Sequence, residues 1–369
     1  MPVPQAPRFH DLPVSRVTPE AAGAVAISFA VPAALREAFK YQPGQFLTLR
    51  AQIDGEDVRR SYSICSPTAR YRNSGELEVG IRPMSGGLFS NWAATGIKVG
   101  DVLPVMPPDG RFVSKRPGAI HRVGFAAGSG ITPILAIIAT TLAEQPNSKF
   151  TLVYGNRSMA SVMFNEALQD LKDRFPDRLT LIHILSRQAQ EVDLLHGRID
   201  AAKVQALVAA LLPAQSMDEV FICGPEGMID ATQHALQQCG VPARNIHTER
   251  FSSPLLDSIP KNQRPSSQPR QSPEAQGNIA LQVTLDGKQH ALQMRADERV
   301  LDVALAAGLD LPYSCKAGVC CTCRAKLTSG SVTMERNFTL EQWEVDRGFV
   351  LTCQSRPTTA ELAINFDER

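Results

Sequence analysis

Charge imbalance is the first thing this sequence lacks. Its 369 residues hold 38 Lys and Arg against 37 Asp and Glu, a formal net charge of +1. Nucleic-acid binders usually carry a lopsided charge, so the balance argues against that class. Long apolar runs are missing too: none reaches the 18 or so residues that span a bilayer. The opening Met1-Pro2-Val3-Pro4-Gln5-Ala6-Pro7-Arg8-Phe9-His10 has no apolar stretch of the kind an export signal needs. These absences set the expectation of a cytoplasmic protein with no membrane and no nucleic-acid partner. No internal repeat is present, yet at about 150 residues per domain the length asks for two or three domains. One residue type stands out against this background, the cysteines, of which there are 8.

Their placement is uneven. Cys65, Cys223 and Cys239 are isolated, whereas Cys315, Cys320, Cys321, Cys323 and Cys353 crowd the C-terminal stretch. In a reducing compartment, metal or redox use is a better expectation than a disulfide framework. Four residues separate Cys315 from Cys320, two separate Cys320 from Cys323, and 29 separate Cys323 from Cys353. This is the plant-type ferredoxin spacing, in which four thiolates hold a 2Fe-2S cluster. A loop can wrap three thiolates around a cluster only if it is small and flexible, which Ala317 and Gly318 allow. Structural zinc sites usually show two close Cys or His pairs, and Cys353 has no close thiol or imidazole in the sequence. The expected ligands are therefore Cys315, Cys320, Cys323 and Cys353, with Cys321 out of register. Leu281–Leu285 and Gln289–Met294 alternate like a hairpin turned at Asp286-Gly287. Val300–Ala307 reads as a short helix ended by Gly308. From about residue 278 onward the chain resembles a whole ferredoxin domain, an α+β fold of the β-grasp type.

Residues 252–278 break the surrounding pattern, being rich in Pro, Ser and Gln. Such a stretch buries too little to offset its ordering entropy and is expected to be a linker, placed at 252–277. A second boundary falls near Lys115-Arg116-Pro117-Gly118. Before it, short alternating segments such as Ala24–Phe29, Phe46–Leu49 and Glu76–Ile81 predict an antiparallel β-barrel over residues 1–115. After it, the apolar runs His121–Phe125, Phe150–Tyr154, Leu179–Ile184 and Glu219–Ile222 alternate with helical stretches. That alternation predicts an α/β domain with a parallel sheet over residues 118–251. The chain is thus read as multidomain, with the ferredoxin domain at 278–369.

Two places invite phosphate. Ser85-Gly86-Gly87-Leu88-Phe89-Ser90 reads as a glycine-opened helix start, whose free N–H groups suit a pyrophosphate. Val123-Gly124-Phe125-Ala126-Ala127-Gly128-Ser129-Gly130-Ile131-Thr132-Pro133 is an apolar strand running through a Gly-rich turn into a helix. Company strengthens both: Arg60-Ser61-Tyr62-Ser63 follows a predicted strand, and Cys223-Gly224-Pro225 follows another. With these motifs the first 250 or so residues resemble the ferredoxin–NADP reductase superfamily. The resemblance implies FAD, with FMN the alternative. It places Arg60 at the flavin phosphate, Tyr62 on the isoalloxazine, Ser63 near its reactive nitrogen, and Gly87, Leu88 and Ser90 at the pyrophosphate. It also implies that Gly128, Gly130 and Thr132 take the nicotinamide nucleotide and that Cys223 lies beside the nicotinamide ring. Glu249 and Phe251 match residues that close this domain against the flavin, although Glu249 reads equally as a surface ion-pair partner. Ser63, Cys223 and Glu249 are the catalytic candidates.

The second strand of the α/β domain ends in Tyr154-Gly155-Asn156-Arg157-Ser158. It offers no acid for a ribose 2′-hydroxyl and a cation, Arg157, for a 2′-phosphate, so NADPH is expected ahead of NADH. A nicotinamide gives two electrons at once and a 2Fe-2S cluster accepts one, so a flavin between them is the converter. The sequence contains no Glu-x-x-His pair of the di-iron type. The electron acceptor is then expected to be another protein, and the resemblance that follows implies that it is the oxygenase component of a multicomponent monooxygenase. Reductase domains first and ferredoxin last, with Arg59–Cys65, Tyr154–Ser158, Phe9–Leu12 and Tyr41–Leu49, resemble the reductase subunits of phenylacetyl-CoA epoxidases, from which the long linker departs. That resemblance implies delivery to a di-iron oxygenase of phenylacetate breakdown. A reductase serving another oxygenase or demethylase, or a non-turnover redox sensor, would carry the same three sites.

Overall fold

The computed structural model describes residues 7–116, 120–251 and 279–368. The linker assigned to 252–277 lies outside the described residues. The chain packs as two units, the larger built from His10–Val58 with Tyr62–Phe251 and the smaller containing the strands from Ile279 onward.

The larger unit begins with six strands: β1 (His10–Pro19), β2 (Val25–Ala30), β3 (Phe46–Ile53), β4 (Glu56–Ser63), β5 (Glu76–Ile81) and β6 (Val102–Val105). Their order is β4-β3-β6-β1-β2-β5. The two ends of this sheet meet just past β4, where Ile64 bridges Val79 and Cys65 N–H donates to the Glu78 carbonyl at 2.8 Å. Closing a sheet on itself removes its exposed edges. Leu12, Ile27, Phe29, Leu47, Leu77 and Val79 fill the interior. Two helices, α1 (Thr68–Ser74) and α2 (Leu88–Gly96), flank β5 in the sequence.

Next come β7 (His121–Ala127), α3 (Ile131–Glu144), β8 (Lys149–Asn156), α4 (Asn165–Arg174), β9 (Leu179–Leu185), α5 (Ala201–Ala210), β10 (Glu219–Cys223), α6 (Glu226–Gln238) and β11 (Ile246–Glu249). All five strands are parallel, in the order β11-β10-β7-β8-β9. Helices cover both faces, which is why β8 and β10 read as continuous apolar runs and not as alternating ones. Phe221 and Cys223 of β10 join one core with α3, while Val220 and Ile222 join the other. Strand order reverses between β7 and β10, and a ligand crevice forms outside the carboxyl ends of strands at such a switch point.

The smaller unit holds β12 (Ile279–Leu285), β13 (Lys288–Met294), α7 (Val300–Ala306), β14 (Arg324–Ser329), β15 (Val332–Met334), α8 (Gln342–Asp346), β16 (Phe349–Leu351), β17 (Ser355–Pro357) and β18 (Glu361–Asn365). Asp286-Gly287 turns β12 into β13 with both residues at positive φ, as a two-residue hairpin requires. The main sheet runs β13-β12-β18-β14-β16 and is mixed, β12 and β18 being parallel. Leu281, Val283, Val300, Leu301, Leu351 and Ile364 build its core. No helix among the described residues is long and apolar enough to cross a membrane.

Candidate functional site

The end of β4 and the switch point of the parallel sheet come together in the larger unit. Ser63, the last residue of β4, donates its hydroxyl to Glu249 Oε2 at 3.0 Å, and the Cys223 thiol lies 4.0 Å from the same oxygen. Cys223 ends β10 and Glu249 ends β11, and the two are paired in register. The three catalytic candidates, 186 residues apart at the extremes, therefore share one carboxyl oxygen. Enclosure pushes the Glu249 carboxyl up to about 8, with only the Ser63 hydroxyl opposing it. Burial raises the Cys223 thiol as well, and the neighbouring Glu249 adds to this. Both shifts favour the protonated carboxyl and the protonated thiol at neutral pH. Glu249 faces a hydroxyl and a thiol at this point, not the cation that a surface ion pair would supply.

Gly130 brings the β7–α3 turn onto this seam. A Cβ at residue 130 would lie 2.1 Å from the Cys223 carbonyl oxygen, so only glycine lets the turn approach the end of β10. The Tyr154 hydroxyl donates to the Gly128 carbonyl at 2.8 Å and pins the turn from β8. Thr132, buried in the first turn of α3, donates to the Ser129 carbonyl at 3.0 Å. The turn and the helix N-terminus behind it fit a dinucleotide phosphate.

The flavin candidates are set by β4 and α2. The Tyr62 ring packs against Phe89 of α2 with centroids 5.6 Å apart. Gly87 is the N-cap of α2, and a Cβ there would sit 2.5 Å from Ser90 Oγ, so the helix mouth is a cradle that a side chain would fill. Ser90 Oγ accepts the Met84 N–H at 3.2 Å, and Leu88 is half-buried. Arg60 Nη1 donates to the Arg59 carbonyl at 2.8 Å. Arg157 and Phe251 are exposed and lie outside the Ser63–Cys223–Glu249 group.

In the smaller unit the loop between α7 and β14 carries Cys315, Cys320 and Cys323, and the turn between β16 and β17 carries Cys353. Ala317 N–H donates to Cys315 Sγ at 3.3 Å, and Cys315 N–H points at Cys320 Sγ at 3.5 Å. The Cys320 thiol and, against burial, the backbone N–H groups of the loop hold the Cys315 thiol below its ordinary range. Buried Gln354 ties the two halves together, its Nε2 donating to the Lys316 carbonyl at 2.9 Å and to Cys353 Sγ at 3.4 Å. Four thiols with N–H donors aimed at sulfur fit the donor set that an iron–sulfur cluster takes. Cys321 has φ +65 and is buried in the core. Among the described residues no group of three or more His, Cys, Asp or Glu is placed to hold a single metal ion.

Three family models match in chain order: an oxidoreductase FAD-binding domain over residues 12–113, an oxidoreductase NAD-binding domain over 125–234 and a 2Fe-2S iron-sulfur cluster binding domain over 283–358. One component of the 1,2-phenylacetyl-CoA epoxidase of Escherichia coli is 45% identical over 98% of each chain. The chain belongs to the family of FAD- and 2Fe-2S-containing reductase components of multicomponent oxygenases. The ferredoxin reductase component of 3-ketosteroid-9-alpha-monooxygenase from Rhodococcus rhodochrous is 36% identical over 99% of each chain. Phthalate dioxygenase reductase has the same fold, with a TM-score of 0.58 at 21% identity over 97% of this chain and 98% of that one. As a member of this family the protein is an NAD(P)H-dependent oxidoreductase with FAD and a 2Fe-2S cluster.

Sequence motifs missed one group in the larger unit, a buried cluster at the opposite end of the parallel strands. Glu219 Oε2 accepts the Ser114 hydroxyl at 2.7 Å and Arg122 Nε at 3.0 Å. Its Oε1 accepts the Lys115 N–H at 2.8 Å and His247 Nε2 at 3.1 Å. Neither Glu219 nor Arg122 exposes any surface. The only available signal was a charged residue opening an otherwise apolar strand.

Proposed function

We propose that this chain is the reductase component of a phenylacetyl-CoA epoxidase system, taking electrons from NADPH and passing them to a di-iron oxygenase partner. The observation that carries this reading is the 45% identity, across 98% of both chains, to the epoxidase component of Escherichia coli. The 3-ketosteroid reductase component, at equally full coverage, stands at 36%. A bound flavin supplies the exchange between a two-electron donor and a one-electron carrier.

The chain's own residues bind, orient and hold protons. Arg60 takes the flavin phosphate, Tyr62 packs on the ring system, and Gly87, Leu88 and Ser90 at the mouth of α2 hold the pyrophosphate. Gly128, Gly130 and Thr132 seat the nicotinamide nucleotide, Arg157 meets its 2′-phosphate, and Phe251 closes the site. The raised Glu249 carboxyl holds a proton at neutral pH, and Ser63, held by its hydrogen bond to Glu249, presents its hydroxyl oxygen to the reacting atoms. The Cys223 thiol stays neutral and gives the nicotinamide ring an uncharged, polarisable wall. Cys315, Cys320, Cys323 and Cys353 hold the cluster, with Gln354 fixing the fourth ligand against the loop.

The test combines the purified holo-reductase with the oxygenase subunits of a phenylacetyl-CoA epoxidase, phenylacetyl-CoA and either nucleotide. Epoxide formation coupled to NADPH consumption is expected, with NADH the poorer donor. Coupling to a 3-ketosteroid monooxygenase oxygenase in its place would overturn the acceptor assignment, and equal use of NADH would overturn the donor assignment.

A further inference from the structure

Glu249 sits at the end of an edge strand. Among the described residues the four-residue β11 pairs with β10 alone in its sheet, and short edge strands are among the first parts of a fold to open locally. Yet the contact it must keep, Glu249 Oε2 to Ser63 Oγ at 3.0 Å, reaches across to the barrel strand β4. Something other than the sheet ladder has to hold that carboxyl in place.

The register shows what lies beneath it. Phe221 pairs with His247, and Cys223 pairs with Glu249 two residues further on. Side chains two apart on a strand share a face, with roughly 6.6 Å between them. Directly under the Cys223–Glu249 pair is therefore a Phe221–His247 pair, its rings stacked at 5.1 Å and 24°. Phe112, from the segment that leaves the barrel, meets Phe221 edge-on at 5.4 Å and 87°. The His247 ring is held from the other side by Glu219 Oε1 at 3.1 Å. Glu219 cannot drift, because Ser114, the Lys115 N–H and Arg122 hold its two oxygens. Arg122 is itself tied to the Arg116 carbonyl at 2.6 Å and to Gln145 at 2.6 Å.

We propose that His247 is a positioning residue for the Glu249 carboxyl, setting its reach to Ser63 through a three-ring layer anchored on Glu219. The layer shares Phe112 with the chain that joins the barrel to the nucleotide domain. It therefore ties the end of β11 to that connecting segment and not only to β10. This inference rests on the catalytic reading of Ser63 and Glu249 given above.

The experiment uses the full-length holoprotein, with FAD content and melting temperature confirming that each variant is folded. His247→Phe keeps the stack and removes the hydrogen bond; His247→Ala removes both. In steady-state NADPH:ferricyanide assays, kcat is expected to fall about threefold for His247→Phe and about tenfold for His247→Ala, with KM for NADPH within about twofold, since small misplacements near reacting atoms cost rate. In a Glu249→Gln background the same substitutions should lose most of their effect, because the group they position is gone. Unchanged kcat in the folded His247 variants would overturn the proposal, as would a full loss persisting in the Glu249→Gln background. If Glu249→Gln alone leaves kcat unchanged, the catalytic reading of Glu249 fails, and the proposal falls with it.

Discussion

Two glutamates on neighbouring strands of one sheet live in opposite electrostatic regimes. Glu219 opens β10 and Glu249 ends β11. Burial alone would raise both. Hydrogen bonds from His247, the Lys115 N–H, Ser114 and Arg122 reverse that for Glu219 and hold it at about 2. Glu249 has one hydroxyl as a counterweight and is pushed to about 8. The difference teaches that burial does not decide the ionisation state of a carboxyl; the number of donors around it does. One glutamate is a fixed anion that organises structure. The other is a neutral acid where a proton can be used.

The largest effect expected from this contrast is on stability. Glu219→Gln leaves Arg122 buried without its counter-charge, and breaking a buried pair on one side costs about 3–5 kcal/mol. Chemical denaturation of the holoprotein should show a loss of that size. A loss below about 1 kcal/mol, the range of exposed ion pairs, would mean that water reaches the Arg122–Glu219 pair.

Glu249→Gln should behave in the opposite way. Gln keeps the shape and a hydrogen-bonding group but cannot give up or hold an acidic proton. We expect kcat for NADPH oxidation to drop roughly 10²-fold, the lower end of what a positioned acid or base contributes, while stability at pH 7 is maintained or improved. A variant that loses stability and keeps its rate would exchange the roles of the two glutamates.

Legibility in the sequence divides along the same line. The loop of Cys315, Cys320 and Cys323 could be read as a motif because the three lie within one short segment at a spacing that plant-type ferredoxins use. The Gly128–Gly130 turn could be read because strand, glycine and helix follow one another in the chain. Ser63, Cys223 and Glu249 came only through family resemblance, since nothing local connects residues 186 apart. Glu219 showed only as a charge opening an apolar strand, and Arg122 not at all. Each sits beside an apolar strand stretch, and the partners that make their burial tolerable come from Ser114, Gln145 and His247. Gln354 was missed for a similar reason: its importance lies in reaching Lys316, 38 residues away.

The pH dependence is the most discriminating prediction, because it depends on the sign of each shift. Glu249 titrates near 8 when folded, against an ordinary carboxyl value of 4.5. Between those pH values the folded chain keeps a proton that the unfolded chain has released, so stability falls as pH rises. The contribution is whole below pH 4.5 and is lost progressively toward pH 8 and above. Glu219, near 2 when folded, does the reverse: its contribution is whole above 4.5 and is lost as pH falls toward 2. Melting temperatures of the holoprotein from pH 4.5 to 9 should therefore decline more steeply for the native chain than for Glu249→Gln. Below pH 4.5, the native chain should lose stability relative to Glu219→Gln, because acid removes from it the anion that the variant already lacks. Parallel curves above pH 4.5 would mean that Glu249 is ionised in the folded state, and the contrast between the two glutamates would collapse into a difference of position alone.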